Sequence, residues 1–211
     1  MSSKYSDEKF DMHPKSWLSE YRNLSYWYLL KMGLFYSGLG LVAAFLIMGI
    51  EYFVFDYEEP IVPISLIQII LAGPVEETLF FGIPFAVSGN SFVVLGTGLL
   101  WASVHIFNAQ FVEEDSFSYS TVGFAIPHIF FSLRAWKSGK GWFTILFHSA
   151  WNVMIFGISV AVGEFPFTVI DESFPELDIV MIVFSAILLG ITYPLYRWRL
   201  KREIKKKLEK S

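Results

Sequence analysis

The chain has 211 residues, of which 54% are hydrophobic, 18% aromatic and 17% charged, with a mean hydropathy of +0.49 and a formal net charge of −4. A soluble domain is about 45–50% apolar and about 25% charged, so a composition this apolar points to a membrane rather than to a water-soluble fold. The chain contains no cysteine, which excludes disulfides, thiolate catalysis and cysteine-ligated zinc or iron–sulfur centres.

Residues 1–28 mix Lys4, Asp7, Glu8, Lys9, Asp11, Lys15, Glu20 and Arg22, without the charged-then-apolar layout of a cleavable signal peptide. They read as a cytoplasmic lead-in with an interfacial helix through Trp17, Tyr21, Trp27 and Tyr28. A single membrane domain follows over residues 29–198. A hydrocarbon core of about 30 Å needs about 20 apolar helical residues. Six stretches qualify in turn: Met32 to Phe55, Ile61 to Val87, Ser91 to Val112, Tyr119 to Leu133, Trp142 to Val162 and Ile179 to Trp198. The expected architecture is therefore an all-α polytopic transmembrane bundle of about six spans, with no internal repeat. The loop from Glu164 to Asp178, carrying Pro166 and Pro175, reads as irregular. Residues 199–211 form a basic tail.

Charge placement orients this bundle, because cytoplasmic loops collect Lys and Arg. Asp56, Glu58 and Glu59 follow the first span, Glu113, Glu114 and Asp115 the third, and Glu164, Asp171, Glu172, Glu176 and Asp178 the fifth, with no basic residue among them. The basic residues fall in the N-terminal segment, in the loop with Arg134, Lys137 and Lys140, and in the tail from Arg197 to Lys210. Both termini are therefore expected on the cytoplasmic side of the cell membrane. A basic cluster beside a span suits anionic lipid headgroups better than nucleic acid.

Polar groups inside spans are costly, about 2.5–3.5 kcal/mol for Asp at a helix centre, and so mark functional candidates. The second span holds Glu76 and Glu77 after Gly73 and Pro74, which are expected to kink it. The third holds His105 and Asn108, and the fifth holds His148 and Asn152, four apart and hence on one helical face. Measured from the cytoplasmic helix ends at about 1.5 Å per residue, Glu76 lies at about 17 Å, His105 at about 21 Å and His148 at about 10 Å. Three helices thus deliver polar groups to the inner half of the membrane. The same groups could serve as interhelical hydrogen bonds. His128, in Ile126-Pro127-His128-Ile129, reads as structural or cavity-lining, and Glu51 as reaching the outer interface.

Taken in order, these residues resemble the CPBP family of CAAX proteases and bacteriocin-processing proteins, also called the Abi family, over roughly half the chain. Its pattern is a Glu-Glu pair with an Arg four residues after the second Glu, then an aromatic residue and His four apart, then His and Asn or Asp four apart. Here Glu76-Glu77 supplies the first motif, Trp101 with His105 the second, where Phe is commoner, and His148 with Asn152 the third. Phe81 stands where the family has Arg. The resemblance then requires another cation, for which Arg134 is the nearest candidate, a glutamate made more basic by burial, or an inactive chain.

The resemblance implies an intramembrane endopeptidase related to CAAX prenyl proteases. Glu76 and His105 would activate water, His148 and Asn152 would donate to the oxyanion, and Glu77 would support them. The substrate class is a peptide or membrane protein, prenylated or not. Zinc held by His105, His148 and Glu76 is the alternative to a metal-free site, and the metal-free reading is preferred because Asn is a poor zinc ligand and no His-Glu-x-x-His helix occurs. Two further readings use the same residues: an inactive scaffold or immunity protein of this fold, and a proton-coupled transporter.

Overall fold

The computed structural model describes residues 23–58, 65–107, 114, 116–162 and 175–209. Among them the chain is all-helical, and each of the six apolar stretches is one helix: α1 Tyr26–Phe55, α2 Leu66–Ser88, α3 Ser91–Ile106, α4 Thr121–Lys137, α5 Gly141–Val162 and α6 Pro175–Glu209. The side chains of Ser25, Ser65 and Asn90 cap α1, α2 and α3 by accepting from backbone N–H groups of the first turn, at 3.0, 3.1 and 2.9 Å. Gly89, with φ 63°, ends α2 in the left-handed conformation and turns the chain into α3. The lead-in with Trp17 and Tyr21, Asn108 and residues 164–174 lie outside the described residues.

Among the described residues, four helices are long and apolar enough to cross a membrane: Tyr26–Phe55, Leu66–Ser88, Gly141–Ile158 and Glu176–Lys206. Of the six expected spans, α3 is apolar but ends at Ile106 after 16 residues, and α4, with 17 residues, lacks the apolar character of a lipid-facing span, so neither meets that measure among the described residues. The reason at α4 is burial. Ten of its residues, from Gly123 to Trp136, are enclosed by α1, α3 and α5, so its sequence is set by neighbours and not by lipid. Small residues bring α1 and α4 close: a Cβ on Gly40 would stand 3.2 Å from the Phe124 backbone. α6 runs without a break into the basic tail as far as Glu209. Arg199, assigned to that tail from sequence, is buried and donates to the Ala86 and Val87 carbonyls that end α2.

α2 holds two prolines, and each frees a carbonyl four residues earlier. Pro74 frees the carbonyl of Ile70, which accepts from the Ser149 hydroxyl of α5 at 2.7 Å. Pro84 frees that of Phe80, which accepts from Thr97 of α3 at 2.5 Å. Between the prolines the helix widens into a π-helical segment, Glu77–Gly82. Gly73 permits the approach to α5, since a Cβ there would lie 2.5 Å from the Ile145 carbonyl oxygen. Ser149→Ala is expected to lower stability by about 1–2 kcal/mol through the orphaned carbonyl. Gly73→Ala is expected to cost about 1–3 kcal/mol by overpacking. Unfolding midpoints in detergent measure both.

Candidate active site

The part of α2 before Glu77 packs on α5 and α6, whereas the π-helical segment meets α3, α4, α5 and α6. Glu76 and Glu77 sit at this change of neighbours. Successive residues on a helix point about 100° apart, so the two carboxylates enter different surroundings.

The Glu76 side chain keeps 20% of its surface exposed. Its Oε2 accepts from the Trp101 indole N–H at 2.7 Å and lies 3.6 Å from His148 Nε2, while its Oε1 lies 3.5 Å from His105 Nε2. His105 Nδ1 is 2.9 Å from the Trp101 carbonyl. A carbonyl only accepts, so neutral His105 carries its proton on Nδ1 and turns the Nε2 lone pair toward Glu76. At 3.5 Å, Nε2 and Oε1 stand beyond ordinary hydrogen-bond length, so the two groups face one shared space without bonding each other directly.

Glu77 is wholly buried. Its Oε1 is 2.5 Å from His128 Nε2 and accepts from the Ser132 hydroxyl at 2.8 Å. Its Oε2 accepts from the Trp136 indole at 3.1 Å and lies 2.8 Å from the Thr144 hydroxyl, whose one proton it shares with the Gly141 carbonyl at 2.6 Å. His148 links the two centres, with Nδ1 3.4 Å from Glu77 Oε1. A buried carboxylate is tolerated when its lone pairs are taken up by donors, and here four residues take them up.

The structure thus brings Glu76, Glu77, His105 and His148 into one cluster. Asn152 lies one helical turn beyond His148, half-buried, and no hydrogen bond to the cluster involves it among the described residues. His128, read from sequence as structural or cavity-lining, rests directly on Glu77. Ser132, Trp136 and Thr144 escaped the sequence reading altogether. The signal available for them was spacing: His128, Ser132 and Trp136 recur every four residues on α4, as do Thr144 and His148 on α5.

Among the described residues the hydrogen-bond and ion-pair partners of Glu77 are His128, His148, Ser132, Trp136 and Thr144, and Arg134 is not one of them. Phe81 is fully buried, with its ring edge-on to Trp101 at 5.8 Å and to His128 at 5.9 Å. Phe81→Arg is therefore expected to lower stability by about 3–5 kcal/mol and to add no activity, because it buries a cation against the Trp101 and His128 rings while Glu77 is already bonded by His128, Ser132 and Trp136. Thermal unfolding and a cleavage assay on the same preparation measure both effects.

The sequence offers His105, His148 and Glu76 as the zinc alternative to a metal-free site, but among the described residues the ligand atoms that converge within 4.8 Å belong to Glu77, His128 and His148. Two imidazoles and a carboxylate are a chemically suitable set. Their geometry is nonetheless that of a hydrogen-bonded cluster. The 2.5 Å between His128 Nε2 and Glu77 Oε1 leaves no room for an ion bonded to both at about 2.0–2.2 Å, a geometry that parts tetrahedral ligands by more than 3 Å. An ion held by all three would require His128 Nε2 and Glu77 Oε1 to move apart from this hydrogen-bonded arrangement.

Residues 58–154 match the family described as "Type II CAAX prenyl endopeptidase Rce1-like". The segment contains all three motifs, so the resemblance to the CAAX-protease family is borne out there. No curated protein and no solved structure matches the chain.

Proposed function

We propose that the chain is an intramembrane endopeptidase of the CAAX-protease type and that Glu76 is its general base. The match over residues 58–154 supports a protease-type enzyme in a membrane. The observation that carries the mechanism is the half-open Glu76 carboxylate with His105 Nε2 at 3.5 Å and His148 Nε2 at 3.6 Å.

In this reading a water held between Glu76 Oε1 and His105 Nε2 gives its proton to Glu76 as its oxygen bonds the scissile carbonyl carbon. The carbonyl π electrons move onto oxygen, where His148 and the Asn152 amide donate hydrogen bonds. As the C–N bond breaks, the amine leaving group takes the proton from Glu76. Glu77 holds its charge in place below them. No step runs through a metal.

The bundle sits in the cell membrane with six crossings and both termini cytoplasmic. The helical tail, with Lys201, Arg202, Lys205 and Lys206, meets anionic headgroups. The substrate is a peptide or a membrane-anchored protein, lipidated or not.

Protein reconstituted in liposomes and given a quenched peptide library with prenylated and unprenylated members tests the proposal. Cleavage that persists after exhaustive chelation is expected. An inactive scaffold cleaves nothing. A transporter reading predicts instead a proton flux that disappears in Glu76→Gln.

A further inference from the structure

Trp101 touches every part of the proposed water-activating centre. It is buried, at 5% exposure, on α3. Its indole N–H reaches Glu76 Oε2 at 2.7 Å, and its backbone carbonyl takes the proton-bearing side of His105 at 2.9 Å. Its ring lies against three imidazoles, with centroid distances of 4.8 Å to His105, 5.1 Å to His128 and 6.1 Å to His148. Behind it, the fully buried Phe81 ring stands edge-on at 5.8 Å.

A carboxylate has two equivalent oxygens and rotates about its terminal torsion, so a base needs something to choose which oxygen faces the water. The indole makes that choice. It occupies Oε2 and leaves Oε1 toward His105. An indole N–H is also neutral and does not titrate, so it orients the carboxylate without cancelling the negative charge that makes it a base. A Phe at this place would pack equally well and donate nothing.

We infer that Trp101 is the positioning residue of the Glu76–His105 pair, holding the base by its side chain and the imidazole by its backbone, with Phe81 as the wall that keeps the indole in plane. The inference rests on the proteolytic reading above for its functional meaning, but the bond itself is observable without activity.

Ultraviolet resonance Raman spectroscopy of the indole N–H mode, recorded on wild type and on Glu76→Gln in the same detergent, reads that bond directly. The difference spectrum should show one indole moving from a strong to a weaker hydrogen bond. In cleavage kinetics, Trp101→Phe should lower kcat by about tenfold to hundredfold with KM unchanged, the pattern of an interaction felt in the transition state. An unchanged indole mode in Glu76→Gln overturns the inference, and so does a folded Trp101→Phe variant with wild-type kcat. Should Trp101→Phe fail to fold, the spectrum of Glu76→Gln still decides. An indole shift in a protein that cleaves no peptide supports the positioning role and overturns the proteolytic reading.

Discussion

Glu76→Gln is expected to reduce peptide cleavage by about two to four orders of magnitude, the range associated with loss of a positioned general base. The amide keeps the size of the side chain and can still accept from the Trp101 indole, so the fold is expected to survive. What it loses is the ability to take a proton from water. Glu76 also lies at the half-open end of the cluster, and its replacement leaves only one indole donor to be satisfied by an amide oxygen. Initial rates on reconstituted protein, with the unfolding midpoint measured on the same sample, check this. A Glu76→Gln variant that cleaves at the wild-type rate removes the proposed mechanism.

Glu77→Leu is expected to act on the fold instead. The substitution preserves volume roughly and removes the acceptor shared by His128, Ser132, Trp136 and Thr144. The donors of His128, Ser132 and Trp136 on α4 are left facing a methyl group in the interior, while the Thr144 hydroxyl keeps the Gly141 carbonyl. Breaking a buried charged network typically costs about 3–5 kcal/mol, a large share of the stability of a domain. A loss of folded protein, or a midpoint far below that of Glu76→Gln, is the expected result. Equal midpoints for the two variants would mean that the adjacent glutamates share one role, contrary to the asymmetry of their surroundings.

Much of the architecture is legible in the sequence because lipid imposes a simple rule. Every backbone group must bond within its own helix, and each helix must be apolar for about 20 residues, so hydropathy alone locates α1, α2, α5 and α6. The rule weakens where a helix is shielded by others. α4 is buried by its neighbours, carries Arg134 and Ser132 inside, and so lacks the even apolar character of a lipid-facing span. The three polar motifs were legible for the complementary reason, since Glu, His and Asn are conspicuous against a background of Phe, Leu and Val. Ser132 and Thr144 were not, because a hydroxyl in a membrane helix can bond its own preceding turn and needs no partner elsewhere.

The sequence by itself determined that six helices form and where their centres lie, though α1 begins six residues before its expected start and α6 runs eleven beyond its expected end, and it singled out Glu76, Glu77, His105 and His148 as the residues with chemistry to offer. Only the tertiary structure decided what each of the two adjacent glutamates does. One residue of helix separates them by about 100° of rotation, which sends Glu76 toward Trp101, His105 and a partly open space and Glu77 into a closed shell of donors. That division depends on how α3, α4 and α5 cross α2, and on a π-helical turn between Pro74 and Pro84 whose freed carbonyls are met from neighbouring helices. Contacts between residues 51 to 67 positions apart, such as His128 and Thr144 with Glu77, follow from helix rotation and crossing, and no spacing along the chain encodes them.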